Sequence, residues 1–182
     1  MTYNIVCDSS CDLKSTELQP GYLHLEVVPM QITVGDREYL DNESLNVPLL
    51  LEDMATEKSS AGTACPSPAA FARAFEKADC SVCFTISSNL SGTYNAAVLA
   101  RDMVLEEHPE KKICVIDSRS TAGAMVLLTR KAQSLLEVED PDFDKVCEEL
   151  RIYQASLRTV FTLECFDNLI KNGRMRPLVG NL

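Results

Sequence analysis

The sequence has no tryptophan and only two histidines, His24 and His108, among its 182 residues. Histidine is the side chain that most often acts as a general base near neutral pH, and it is a common ligand of zinc. Neither histidine lies near a cluster of cysteines. We therefore expect no metal site and no catalytic residue of the kind that a histidine-dependent hydrolase needs.

Glycine is also scarce, with seven residues, and the glycine-rich signatures of phosphate-binding loops are missing. No segment matches GxxxxGK[ST] or GxGxxG, so a bound polyphosphate is not expected. The nucleophile turn of an esterase requires G-x-S-x-G, but the residue two before Ser91 is Asn89. The sequence thus disfavours both phosphoryl chemistry and esterase chemistry.

Positive charge is in deficit, because 17 Lys and Arg residues stand against 27 Asp and Glu, which gives a net charge of −10. Such a field repels the phosphates of nucleic acids and of anionic lipids. No apolar run reaches membrane length, and the opening MTYNIVCDSS lacks the basic and apolar regions of a secretion signal. We expect no nucleic-acid partner, no integral membrane segment and a cytoplasmic location.

Cysteine is plentiful, with eight residues, and several of them lie inside apolar strand patterns. A reduced thiol in such a position behaves as a small hydrophobic side chain. Cys80 and Cys83 have the spacing of a CxxC motif, but on a strand residues i and i+3 point to opposite faces. We therefore expect these two thiols to be separated by the sheet and not to form a redox or metal pair.

Strand patterns alternate with helical patterns along most of the chain, which is typical of an α/β fold with a mostly parallel sheet flanked by helices. Extended segments are predicted at 3–7, 23–34, 37–40, 81–86, 113–116 and 159–162. Helices are predicted toward Leu18 and at 48–54, 69–78, 95–101, 121–137, 142–156 and 164–171. The change after Ser156 predicts one domain over 1–157 and, over 158–182, the start of a truncated second α/β domain.

Three of the apolar strands are followed by short runs of hydroxyl side chains, at 8–10, 87–93 and 117–121. The carboxyl ends of parallel strands share one edge of a sheet, where ligands bind. Each run also precedes a helix, and taken singly each is explained well by helix capping. Ser91 and Gly92 favour a second function, because a glycine at a helix start lets backbone N–H groups approach an anion such as a carboxylate.

Six segments carry short motifs that together identify a family. They are Asp8–Leu13, Gly35–Asp41, Thr63–Pro68 (similar to T-S-Q-P-S), Ser87–Tyr94 (S-S-x-L-S-G-T-Y), and Asp117-Ser118 with Leu169–Met175 (similar to L-x-K-G-G-R-I). This set resembles the DegV family of bacterial fatty-acid-binding proteins, and the resemblance runs along nearly the whole chain. The SSNLSGTY segment is its most specific element.

The resemblance implies the EDD fold of that family and a carrier of one long-chain fatty acid, not an enzyme. It implies that the fatty-acid carboxylate is held by the hydroxyls of Thr63 and Ser91 and by the backbone of Ser91 and Gly92. On this interpretation the hydroxyl-rich segment binds the ligand, and Ser88 or Asn89 caps the helix that follows. An ATP-dependent fatty acid kinase is the implied partner, and no cofactor is expected besides the bound acid.

Further candidates for the site are Ser9, Ser118 and Arg174, of which Arg174 matches the arginine of the L-x-K-G-G-R-I marker. The chain departs from the family pattern at Cys65, where glutamine is usual, and at Asn172, where glycine is usual. Family members carry a complete second domain, and we expect this chain to stop within it at Leu182. A phosphotransferase-like protein and a regulatory α/β module without lipid stay open as alternatives.

Overall fold

The computed structural model describes residues 1–13, 23–57, 59, 61–160, 162 and 170. The chain forms two compact units: Met1–Pro29 with Cys65–Thr159, and Met30–Ala64 with Val160–Leu182. The predicted helix toward Leu18 lies outside the described residues; of the predicted helix at 164–171 only Ile170 is described, and it is helical. The predicted division at residue 157 stays a prediction, because most of 158–182 lies outside them as well.

Seven strands and five helices follow one another in the described part of the chain. The strands are β1 (Tyr3–Asp8), β2 (Leu23–Val28), β3 (Gln31–Val34), β4 (Arg37–Leu40), β5 (Gly62–Ala64), β6 (Cys80–Thr85) and β7 (Lys112–Asp117). The helices are α1 (Val47–Thr56), α2 (Pro68–Phe75), α3 (Thr93–Glu107), α4 (Gly123–Leu136) and α5 (Phe143–Ser156).

The first unit is built on a parallel sheet with the strand order β2-β1-β6-β7. The chain adds β2 on one side of β1 and then places β6 and β7 on the other side. The strand order therefore reverses between β1 and β6, and a crevice opens at the carboxyl ends of the strands at such a point. The predicted mostly parallel sheet flanked by helices is confirmed.

Both faces of this sheet are covered by helices, which explains why the central strands β1 and β6 are buried along their whole length. On one face, α4 and α5 pack through residues such as Met125, Leu128 and Leu150. On the other face, α2 and α3 pack through Phe71, Ala97 and their neighbours. Alternate residues of each strand point to opposite faces, so each strand contributes to both cores.

The two cysteines of the CxxC spacing test this alternation directly. Cys80 packs in the core beneath α4 and α5, whereas Cys83 packs in the core beneath α2 and α3. The prediction that the sheet separates the two thiols is confirmed. Burial raises the pKa of both thiols, which keeps them protonated and unreactive.

The second unit contains a three-stranded antiparallel sheet with the order β4-β3-β5, accompanied by α1. The predicted turn at Gly35 joins β3 to β4, and Gly35 has a φ of 58°, which a residue without a Cβ adopts most readily. In the same unit the carboxylate of Asp53 on α1 is buried and bonds to Arg37 and to the hydroxyl of Tyr39 on β4.

Two predictions about extended segments were wrong. No extended segment is predicted between residues 40 and 81, yet 62–64 form β5, because Thr63 pairs with Ile32 of β3 and the partner strand supplies the hydrogen bonds. The predicted strand at 159–162 is not formed at Thr159, Val160 or Thr162, the three positions of that segment that the structure describes. Local sequence patterns cannot report whether a partner strand is present.

Candidate functional site

The candidate site lies at the carboxyl ends of β1, β6 and β7, where the three hydroxyl-rich loops begin. The loops are joined by hydrogen bonds. The backbone N–H of Ser87 donates to the carbonyl of Ser120 at 2.8 Å, and that of Ala122 donates to the carbonyl of Ser10 at 2.9 Å. The sequence prediction that these runs meet at one edge is therefore correct.

The loop between β6 and α3 presents Ser91 just before the helix. The backbone N–H of Ser91 donates to the carbonyl of Ser87 at 3.2 Å, which closes a tight turn. The Ser91 hydroxyl lies 2.9 Å from that of Thr93, and it accepts from the Thr93 backbone N–H at 3.4 Å. Thr93 is fully buried, whereas Ser91 is partly accessible, so Ser91 is the hydroxyl of the pair that a ligand can reach.

Gly92 is the N-cap of α3 and has no side chain to cap it; of the first N–H groups of the helix, that of Thr93 donates to the Ser91 hydroxyl. The expectation that Ser88 or Asn89 caps α3 was wrong, because the Ser88 hydroxyl donates to Asp117 of β7 instead. The first N–H groups of an α-helix have no partner within the helix, and the helix dipole makes that end favourable for negative charge. The start of α3 thus offers donors that no N-cap side chain engages.

The backbone conformation of Gly92 does not require glycine, because its φ is −73°. A Cβ built at this position would meet the Sγ of Cys65 at 3.7 Å, an ordinary contact distance. Neither strain nor crowding within the protein therefore explains this glycine. Close approach of a ligand to the backbone would explain it, and so would the general preference for glycine at an N-cap.

Asp8, at the end of β1, holds the site together and was not singled out by the sequence analysis. Its carboxylate is fully buried and accepts from the backbone N–H of Ile86 at 2.6 Å and from the backbone and hydroxyl of Ser10 at 3.0 and 2.5 Å. The carboxylate thus ties the end of β1 to the end of β6. The only signal in the sequence was an acidic residue between an apolar strand and two serines.

Asp117 plays a similar role at the end of β7. Its carboxylate accepts from the backbone and hydroxyl of Ser88 at 3.1 and 2.5 Å and from the backbone N–H of Arg119 at 2.9 Å. Arg119 has a φ of 51°, which is unusual for a residue with a side chain. The β6–α3 and β7–α4 loops are therefore fixed to one another before any ligand arrives.

The remaining candidates occupy different places. Ser9 follows β1 directly, and its backbone N–H donates to the carbonyl of Val28 at 3.1 Å. Ser118 is buried, and its hydroxyl bonds to the backbone carbonyl and N–H of Ser120, both at 3.0 Å. Thr63 is exposed on β5 of the second unit. Arg174 lies outside the described residues, and the roles of all four in the site stay predictions.

The chemistry of the loops is that of neutral donors around an uncapped helix start. Hydroxyls and backbone N–H groups bind a small anion such as a carboxylate and hold it without a covalent step. Among the described residues, no group of three or more His, Cys, Asp or Glu side chains is placed to hold a metal ion. Over the same residues, no helix has the length and apolar character that crossing a membrane requires.

A parallel α/β sheet whose hydroxyl-rich loops meet at the switch point of the strand order is typical of ligand-binding proteins, and comparisons narrow the class to one family. The DegV family model, described as "Uncharacterised protein, DegV family", matches residues 2–182. The chain belongs to the DegV family. A DegV domain-containing protein of Streptococcus gordonii is 39% identical over 180 residues, which cover 99% of this chain and 64% of that relative.

Solved structures give the same result. The Fatty Acid Kinase (Fak) B3 protein of Streptococcus pneumoniae, loaded with linoleic acid, is 38% identical to this chain, with a TM-score of 0.95. The match covers 100% of this chain and 64% of the Streptococcus pneumoniae chain. A DegV family protein of Eubacterium eligens loaded with heptadecanoic acid is 33% identical with a TM-score of 0.91, over 99% and 63% of the two chains. This chain thus spans somewhat less than two thirds of the length of these relatives.

A third solved structure, a DegV family protein of Ruminococcus gnavus refined with vaccenic acid, is 33% identical with a TM-score of 0.89. It covers 97% of this chain and 63% of its own length. The three acids named for these relatives differ in chain length and unsaturation. What the three acids share is a carboxylate on a long hydrocarbon chain.

Proposed function

We propose that the protein binds one long-chain fatty acid and holds its carboxylate with the hydroxyls of Thr63 and Ser91 and the backbone N–H of Gly92. The backbone N–H of Ser91 already donates to the carbonyl of Ser87. The observation that carries the proposal is the uncapped start of α3, where Ser91 and a conformationally unnecessary glycine meet at the switch point of the sheet. The fatty acids bound by three relatives of the same fold support the choice of ligand.

The energetics suit a carrier. Each CH₂ group removed from water contributes about 0.8 kcal/mol, so an acyl chain of ordinary length gains on the order of 10 kcal/mol before ordering costs. The carboxylate contacts then select the ligand class and fix its orientation. The two carboxylates at this sheet edge, Asp8 and Asp117, are occupied by backbone N–H groups and serine hydroxyls, which supports a protein that presents the acid without altering it.

In this proposal the partner is an ATP-dependent fatty acid kinase, which phosphorylates the presented carboxylate in the cytoplasm. The name of the Streptococcus pneumoniae relative, a Fatty Acid Kinase (Fak) B3 protein, supports a kinase partner. The phosphotransferase alternative needs a histidine at the carboxyl end of a strand. His24 is the second residue of β2 and His108 is the C-cap of α3, so neither has that position.

The proposal is tested by mass spectrometry of the purified protein after mild extraction with organic solvent. We expect about one equivalent of long-chain fatty acid per chain, and saturable binding of added oleate or palmitate. A protein that carries no fatty acid and binds neither acid would refute the proposed function.

The substitution Gly92→Ala separates binding from folding. The φ of −73° and the 3.7 Å contact to Cys65 both accept a methyl group, so we expect the free energy of unfolding to change by less than about 1 kcal/mol. The same methyl group hinders a carboxylate from reaching the backbone N–H groups, and palmitate should bind about tenfold more weakly, as measured by fluorescence displacement.

Gly123→Ala is the matched control for this experiment. Gly123 is the first residue of α4 on the same sheet edge, and a Cβ built there meets no atom within 4 Å. We expect this variant to keep both stability and palmitate affinity. Equal affinities of the two alanine variants would exclude close approach of a ligand at Gly92.

A further inference from the structure

Two thiols away from the ligand site form a pair between β7 and α5. Cys114 lies on β7, the last strand in the order β2-β1-β6-β7. Cys147 lies on α5, which packs against that strand. Both belong to the same core cluster, both are reduced, and they are only 4% and 5% exposed. Nothing in the fatty-acid proposal uses them.

The cationic side chain of Arg151 lies beside Cys114. Arg151 lies four residues after Cys147 on α5, so the two side chains share one face of the helix. The Nη2 of Arg151 donates to the Sγ of Cys114 at 3.4 Å. The Arg151 side chain is 55% exposed, so the guanidinium connects the thiol beneath it to solvent. A positive charge beside a thiol favours the thiolate, which is the reactive form.

The two thiols have opposite acid–base behaviour. Hydrogen bonding with Cys147 lowers the pKa of Cys114 and the charges of Arg151 and Arg101 lower it further, whereas burial and Asp144 oppose them. The same contact with Cys114 raises the pKa of Cys147. Cys114 therefore has the greater thiolate character of the two.

The second thiol pair of the described residues, Cys7 and Cys11, has a different setting. Both sulfurs face the hydroxyl of Thr129, at 3.3 and 4.0 Å. Interaction with Cys7 lowers the pKa of Cys11 to about 7, but Cys7 itself is completely enclosed at the end of β1 and its pKa is raised. Cys7 and Cys11 thus contact a buried hydroxyl, whereas Cys114 contacts the half-exposed guanidinium of Arg151, which makes the pair at β7 and α5 the better candidate.

We propose that Cys114 and Cys147 form a reversible disulfide when the protein meets a hydroperoxide. The Cys114 thiolate attacks the terminal oxygen of the hydroperoxide, the O–O bond breaks, and the alkoxide or hydroxide that leaves takes up a proton. The Cys147 sulfur then attacks the sulfur of the resulting sulfenic acid, and the S–O bond breaks to release water. Two electrons pass from the two thiols to the hydroperoxide.

The cross-link would act on α5 as a whole. Gln154, two turns beyond Cys147, donates from Nε2 to the backbone carbonyl of Ser118 at 3.1 Å. Ser118 belongs to the loop that leaves β7 at the candidate ligand edge. A disulfide between β7 and α5 therefore fixes the helix that holds this loop, which makes the pair a modification site next to the fatty-acid site.

The experiment uses Cys65→Ser as the background, because Cys65 is exposed and would form links between molecules. The protein is treated with hydrogen peroxide at neutral pH, digested without reduction and analysed by mass spectrometry. We expect a linked pair of peptides that contain Cys114 and Cys147, and its loss on treatment with dithiothreitol. Arg151→Gln should slow formation of the link about fivefold, within the tenfold that a one-unit pKa change produces.

Lys145→Gln is the control on the same helix, since Lys145 is exposed and pairs with Asp142. It should form the link at the rate of the background protein. A Cys7–Cys11 link in place of the proposed one, direct conversion of Cys114 to sulfinic acid, or an unchanged rate in Arg151→Gln would each overturn the proposal. These readouts do not require fatty acid, so they fail independently of the proposed function.

Discussion

Replacing Thr63 and Ser91 together by alanine should weaken fatty-acid binding by about 100-fold and leave the purified protein without bound lipid. Each substitution removes a hydroxyl that donates to a charged carboxylate, and a hydrogen bond of this kind contributes about 1.5–3 kcal/mol. Two such losses give at least 3 kcal/mol, which corresponds to about two orders of magnitude in Kd. Isothermal titration with palmitate measures the change.

Stability must be followed in the same variants, because the Ser91 hydroxyl also bonds to buried Thr93 at 2.9 Å. We expect that loss to cost about 1 kcal/mol, which a folded protein tolerates. Ser88→Ala is the matched control, since Ser88 lies in the same loop but its hydroxyl is directed to Asp117. If the double variant binds palmitate as tightly as Ser88→Ala does, the hydroxyls of Thr63 and Ser91 do not hold the carboxylate.

Replacing Asp8 by alanine should lower the free energy of unfolding by about 3–5 kcal/mol, the range for breaking a buried, fully hydrogen-bonded carboxylate. The substitution leaves the backbone N–H groups of Ile86 and Ser10 without the acceptor that they share. It also releases the link between β1 and β6 at the switch point. Urea unfolding followed by circular dichroism measures the loss as a lower midpoint.

The control for this variant is Asp102→Ala. Asp102 is an exposed residue of α3, and its ion pair with the neighbouring Arg101 is worth little in water. We expect a change within about 0.5 kcal/mol. If Asp8→Ala unfolds at nearly the same urea concentration as Asp102→Ala, the carboxylate of Asp8 does not brace the sheet edge as described.

The sheet and its helices were predictable because both leave regular patterns. Buried parallel strands give continuous apolar runs, and helices give longer amphipathic segments. The position of Ser91 and Gly92 at the carboxyl edge followed from those runs alone. The alternation of side chains also predicted correctly that Cys80 and Cys83 face opposite cores.

What the sequence could not provide are contacts between residues far apart in the chain. The strand at Thr63 exists because β3 pairs with it, and the composition around it is that of a loop. The role of Asp8 depends on Ile86, 78 residues away, and the hydroxyl of Ser88 is engaged by Asp117 and not by the helix beside it. Capping preferences depend on residues near the start of the helix. Here the Ser88 hydroxyl instead donates to the carboxylate of Asp117, which is distant in the sequence.

In the proposed complex, donors at the start of α3 hold the lipid carboxylate, and amide NMR can observe these donors individually. The ¹H–¹⁵N resonances of Ser91, Gly92 and Thr93 are followed during titration with palmitate and, separately, with hexadecanol, which has the same chain but no carboxylate. The account predicts large shifts at these three amides with palmitate and small shifts with hexadecanol. Identical shifts with both ligands, or none with palmitate, would contradict it.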